Sequence, residues 1–253
     1  NGTSIIIFAG IVGRIPVLAG QAFSSATQQD WLNYLIVAIL AVVVVGGVVW
    51  VSEAVRKVPI YYAKRVRGEK AFGAQSTHLP LRLNQAGVIP IIFAVSIVLL
   101  PTLLSSYLAQ APNQLVQNVG NFFATHFSTQ SWGYNVTYFL LIVGFTYFYT
   151  AIIFNPQKVS DEIQKNGGFI PGVRPGKPTA SFLNYIVTRI TLFGALFLGM
   201  IAILPNIVQA FTGIQALVVG GTSILIVVSV VIETVKTLEV QLVSKNYDKF
   251  ITS

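Results

Sequence analysis

The chain has 253 residues, 54% of them hydrophobic and only 9% charged, with a mean hydropathy of +0.71. Soluble domains carry about 25% charged residues, so this chain has too little polar surface for water, and lipid is the natural solvent. The absence of cysteine excludes disulfides and thiolate metal sites, and the net charge of +8 must be assigned by where the charges fall.

The first apolar run, Ile5 to Ile11, follows Asn1-Gly2-Thr3 almost at once. No basic n-region or small-residue cleavage site precedes it, so it reads as a truncated membrane span of about 3–13 rather than a signal peptide. The chain is therefore expected to be one part of a larger polypeptide. Five further stretches have the roughly 20 mostly apolar residues that a spanning helix needs: about 32–51, 84–104, 134–154, 182–204 and 217–235. Each is apolar around its whole circumference, as lipid demands. The predicted fold class is all-α, a polytopic membrane bundle of six transmembrane helices.

Basic residues cluster between these spans. Arg56, Lys57, Lys64, Arg65, Arg67, Lys70 and Arg82 follow the second. Lys158, Lys165, Arg174, Lys177 and Arg189 follow the fourth, and Lys236, Lys245 and Lys249 follow the last. That accounts for 15 of the 16 Lys and Arg residues; the alternate segments, about 14–31, 105–133 and 205–216, hold only Arg14. Positive loops stay cytoplasmic, which predicts cytoplasmic loops at about 53–82 and 155–180 and a cytoplasmic tail at 236–253. The positive charge is then mainly an insertion signal; a nucleic-acid binder would need a dedicated basic domain.

Two spans carry breakers or small residues: Pro90 within Ala86-Gly87-Val88-Ile89-Pro90-Ile91-Ile92, and Gly220-Gly221-Thr222-Ser223 at the start of the last. Close helix packing and a moving helix both fit these features. No acidic residue sits at the centre of a span, which argues against a proton-coupled transporter. His78 and His126 lie far apart, and neither HExxH nor Walker A occurs. No enzyme activity, metal or cofactor is expected. Glu233, three residues before Lys236, reads as an interfacial ion pair. A secondary transporter of a small solute is the alternative, but it predicts intramembrane charges and inverted repeats that the sequence does not offer.

Several strings are more specific. Tyr62-Ala63-Lys64-Arg65, Gln75-Ser76-Thr77-His78-Leu79-Pro80-Leu81 and Asn84-Gln85-Ala86-Gly87-Val88-Ile89-Pro90 closely resemble a loop and following helix of the SecY family. So do Phe154-Asn155-Pro156, Phe169-Ile170-Pro171-Gly172-Val173-Arg174-Pro175-Gly176, Thr188-Arg189-Ile190-Thr191-Leu192 and Gly220-Gly221-Thr222-Ser223, in order along the chain. The resemblance implies the C-terminal half of a protein-conducting channel, its fifth to tenth spans. The missing N-terminal half would hold the plug, half the pore ring and the other wall of the lateral gate.

On this resemblance Ile7, Ile92 and Ile226 match an apolar pore ring, and Thr3 falls where the family often has an apolar residue. Asn84 and Pro90 match the lateral gate, with a simple helix cap as the other account of Asn84. Arg174, Lys64, Arg65 and Arg67 match a docking surface for the SecA motor and the ribosome. The positive-inside rule alone would account for the loop charges, but not for the stiff, turn-rich setting of Arg174. The implied partners are SecE, SecG, SecA, the ribosome, an unfolded preprotein with its signal sequence, and lipid. The implied location is the bacterial plasma membrane.

Overall fold

A computed structural model describes residues 2–14, 16–17, 20, 31–62, 66–67, 70–71, 76–128, 131–212, 223, 226–232 and 234–239. The elements in chain order begin with α1 (Gly2–Val12), α2 (Trp31–Glu53), β1 (Val55–Tyr62), β2 (Val66–Arg67), β3 (Lys70–Ala71) and β4 (Ser76–Arg82). There follow α3 (Ile89–Leu108), α4 (Gln114–His126), α5 (Trp132–Ile153), α6 (Pro156–Lys165), β5 (Gly168–Phe169) and α7 (Lys177–Thr212). Residues 226–232 and 234–239 are also helical.

The long helices are inside-out relative to a soluble protein. On α5 a stripe at i, i+4 spacing is buried, Tyr134, Tyr138, Ile142, Thr146 and Thr150, with Asn135 beside its start. The opposite positions, Leu140, Phe148 and Ile152, are apolar and exposed. Helix α7 likewise buries Leu183, Val187, Thr191, Ala195 and Leu198 while exposing Tyr185, Phe193 and Met200. When exposed faces are as apolar as buried ones, the surrounding solvent is hydrocarbon.

Among the described residues, three helices are long and apolar enough to cross a membrane: α3 and the helices that begin at Trp132 and Lys177. Helix α2 has 23 residues, of which Ala38–Glu53 form a shorter apolar stretch. The expected 3–13 span is an 11-residue helix, and the expected 217–235 span falls partly outside the described residues. Helix α7 has 36 residues, about 54 Å of rise, so it is much longer than the expected 182–204.

The predicted basic loop at 53–82 has regular structure. Strands β1 and β4 pair antiparallel from Val55↔Arg82 to Tyr61↔Ser76, and β5 adds to the other edge of β1 through Tyr61↔Phe169 and Tyr62↔Gly168. The cause is a period-two pattern: Val58, Ile60 and Leu81 turn inward, with Leu79 partly buried, while Lys57, Pro59, His78 and Arg82 face outward. Pro59 is tolerated in the middle strand because β5 pairs only beyond it, leaving that stretch of edge without a ladder to break.

The chain packs as two compact units. One comprises Asn1–Trp50, Val95–Phe139 and Met200–Ser253; the other comprises Val51–Ala94 and Leu140–Gly199. The second has a core of Val58, Ile60, Leu81, Ile163, Ile170, Leu183 and Val187, joining the sheet, α6 and the start of α7.

Candidate docking surface and pore-lining residues

The charge divides with the two units. The second unit contains twelve of the sixteen basic residues and four of the eight acids, so it carries a net +8. The first holds four of each sign and is neutral. A single unit therefore carries the whole formal excess of the chain, which suits an acidic or phosphate-bearing partner.

Arg174 is the best-placed of these cations. Its side chain is exposed, on the loop between β5 and α7. The loop is fastened from inside by buried hydroxyls acting on main-chain oxygens. Thr179 Oγ1 donates to the Arg174 carbonyl at 2.9 Å, and Ser160 Oγ of α6 donates to the Gly176 carbonyl at 2.8 Å. Thr179 and Ser160 are only 2% and 1% exposed, so little water competes for these bonds. Ile170 plugs into the core at the start of the loop, and the Val173 amide donates to its carbonyl at 3.1 Å. Gly172 and Gly176 have φ of 79° and 94°, a region that side chains rarely enter. The predicted stiffness of this loop thus has a definite construction: two positive-φ glycines, an apolar plug and two hydroxyl clamps.

The neighbouring surface also bears aromatic rings. Tyr61 and Phe169 stack with centroids 6.2 Å apart, and both are exposed. Sequence reasoning assigned them no role; their cross-strand pairing became visible only with the β1–β5 register. Lys64 and Arg65 lie outside the described residues, and Arg67 is described by its backbone alone, on β2.

The expected gate residues are placed differently from the sequence reading. Helix α3 begins at Ile89, so Pro90 occupies its first turn rather than the interior of a span. Proline is at home there, because first-turn amides have no intrahelical partner. Asn84 lies five residues before the helix and is not its cap. Its Nδ2 donates instead across the preceding turn to the Gly87 carbonyl at 3.2 Å, where Gly87 has φ 67°. Among the described residues its buried Oδ1 has no partner. The base of the sheet is held beside it: the Leu83 amide donates to the Ala54 carbonyl at 2.9 Å, and a Cβ on Gly194 of α7 would lie 2.6 Å from the Leu83 carbonyl oxygen.

Of the expected ring, Ile92 is half-buried in the first turn of α3, between fully buried Ile91 and Ala94. Ile226 is 8% exposed, at the start of the described helical stretch 226–232. Ile7 and Thr3 lie on α1 with side chains outside the described residues, as do Gly220, Gly221 and Glu233 entirely.

Comparison with known proteins gives a consistent answer. The SecY family model matches residues 1–235. The protein translocase subunit SecY of Mycobacterium tuberculosis is 44% identical over 257 residues, covering 99% of this chain and 57% of the relative. The corresponding subunit of Halalkalibacterium halodurans is 41% identical, covering 99% and 59%, and that of Thermus thermophilus is 40% identical, covering 100% and 57%. The chain thus spans a little over half the length of these curated relatives. Two solved structures share the fold at 19% identity. One, concerned with the plug domain of the SecY protein, has a TM-score of 0.58 and covers 96% of this chain and 60% of that one. The other, a protein conducting channel, has a TM-score of 0.54, with 94% and 56% covered.

Proposed function

The chain belongs to the SecY family, and from that premise we propose that it supplies the second half of a protein-conducting channel. Unfolded preproteins with signal sequences pass through its pore, and hydrophobic segments leave sideways into lipid. By their match to the family, Ile7, Ile92, Ile226 and Thr3 are assigned to half of the apolar ring, and Asn84 and Pro90 to the lateral gate. A first half with four more spans completes the channel, and SecE and SecG accompany it. It is a channel without catalysis of its own, so the work comes from SecA or the ribosome.

The location proposed is the bacterial plasma membrane, with segments 53–82 and 155–180 and the C-terminal tail in the cytoplasm. The observation that carries the docking role is Arg174, an exposed guanidinium on a clamped loop, in the unit that bears the whole net charge. A guanidinium in a fixed place pairs bidentately with carboxylate or phosphate, whereas Lys64, Arg65 and Arg67 add a diffuse, salt-screened attraction.

The test is motor-driven export of a reporter into vesicles reconstituted with the complete channel, with inserted channel measured alongside. Arg174→Glu should cripple export and leave insertion intact, and Arg174→Lys should fall between it and wild type. Normal export by Arg174→Glu would overturn the docking role. Loss of export only through loss of inserted channel would make the residue structural.

A further inference from the structure

The segment 105–133 contains no Lys, Arg, Asp or Glu and reads from the sequence as a plain connection between spans. It contains the 13-residue helix α4. Its residues sort into stripes. Val116, Gly120 and Phe123 are its least exposed positions. Gln117, Asn118, Asn121 and Thr125 form a polar exposed face. Between the two runs a third stripe at i, i+4, i+7 spacing: Leu115, Val119 and Phe122, which are 76%, 49% and 55% exposed. The apolar arc is therefore wider than the part this chain covers.

The depth of α4 is fixed by its attachments. Gly120 lies against the end of α3, where a Cβ would come within 2.5 Å of the Ala109 amide nitrogen, and Gln117 Nε2 donates to the Ala109 carbonyl at 3.4 Å. Beyond its C-terminus, Thr102 Oγ1 of α3 donates to the Phe127 carbonyl at 2.9 Å. Ser131 Oγ, one residue before α5, donates to the His126 carbonyl at 2.7 Å. Helix α4 is thus strapped to the end of one spanning helix and the start of the next, and such ends mark the bilayer boundary. Tyr107 in the last turn of α3 and Trp132 at the first position of α5 are 79% and 78% exposed. Amphipathic rings of this kind favour the headgroup level.

We propose that α4 is an interfacial anchor, lying in the bilayer surface with Leu115, Val119 and Phe122 at the headgroup–acyl boundary. The inference rests on the membrane placement proposed above. The occupant is lipid of any headgroup charge: with no Lys, Arg, Asp or Glu on the helix, and His126 stacked on Phe122 as its one titratable side chain, its binding comes from buried apolar area rather than attraction to anionic headgroups.

The test uses the complete channel in phosphatidylcholine vesicles, on a background without other cysteines. A fluorophore is attached to one cysteine at Val119, Asn118 or Leu100, the last being exposed on α3. Nitroxide lipids that quench at a shallow depth should dim the probe at Val119 and leave the adjacent Asn118 probe bright. Deep nitroxide lipids should dim Leu100. Adding phosphatidylglycerol, or raising salt, should leave the Val119 quenching unchanged. A Val119 probe as open to an aqueous quencher as Asn118 would overturn the proposal. So would one shielded from both water and lipid nitroxide, because protein would then cover the stripe. Quenching at Leu100 without quenching at Val119 overturns this inference alone, whereas failure at Leu100 overturns the membrane placement and the inference with it.

Discussion

Gly172→Ala separates the shape of the Arg174 loop from its charge. Gly172 has φ 79°, and a Cβ built there meets no heavy atom within 4 Å. The substitution therefore adds no clash, and its whole cost is that of holding an L-residue in the left-handed region, about 1–2 kcal/mol. If the loop relaxes to a different backbone to escape that cost, the docking-ready fraction falls, and affinity falls with it. The ceiling on this loss is about 5- to 30-fold, since 1.4 kcal/mol is tenfold. SecA titrated onto the reconstituted channel should therefore bind Gly172→Ala more weakly than wild type, within that ceiling, and Arg174→Glu more weakly still. Gly144→Ala is the control: it lies on α5, also has open space around the new methyl, and carries no positive φ. Binding by Gly172→Ala at wild-type strength, with Arg174→Glu impaired, would show that the charge matters and its rigid setting does not.

Cysteines at Lys70, Lys165 and Lys245 of the inserted channel should react from the cytoplasmic side and one at Gln114 from the other; opposite labelling of Lys70 and Lys165 would break the proposed topology. Replacing Ile92 and Ile226 by a small polar residue should make the resting channel leak ions, because polar groups stabilise water in a constriction, and unchanged conductance in the double variant would put the waist elsewhere. Gly194→Ala should lower stability by about 1–3 kcal/mol through overpacking against the Leu83 carbonyl. An unaltered thermal unfolding curve in detergent would mean that the sheet base yields freely.

What was legible in the sequence was whatever depends on bulk transfer and charge. Long uniformly apolar runs marked α3, α5 and α7, and two of the three basic clusters fall in the unit that carries the whole net charge. The ribbon of β1 and β4 was readable in principle, from Val58, Ile60, Leu79 and Leu81 at period two, but its density of lysine and arginine made it look like a loop. The expected span began at 84 because the uncharged run Asn84–Val88 leads straight into the apolar stretch, while the positive φ of Gly87 and the helix-starting habit of Pro90 delay the helix to Ile89. Helix α4 escaped because thirteen residues with an apolar arc and a polar arc do not reach the hydropathy of a span. The clamps from Ser160 and Thr179 could not have been foreseen: a serine and a threonine among many acquire meaning only when α6 and the head of α7 close on the same loop.

Those clamps have an evolutionary corollary. Both hydroxyls grip main-chain carbonyls, of Arg174 itself and of Gly176, and neither touches the guanidinium. The fold therefore recognises residue 174 as a peptide unit and is indifferent to what hangs from it, provided the extended backbone that Pro175 imposes is acceptable. Foldability and surface identity are inherited separately at this position. A lineage could exchange the side chain to suit a different surface without first re-engineering the scaffold beneath it. The burden of constancy falls instead on Ser160, Thr179, Gly172 and Gly176, residues that contribute no charge of their own.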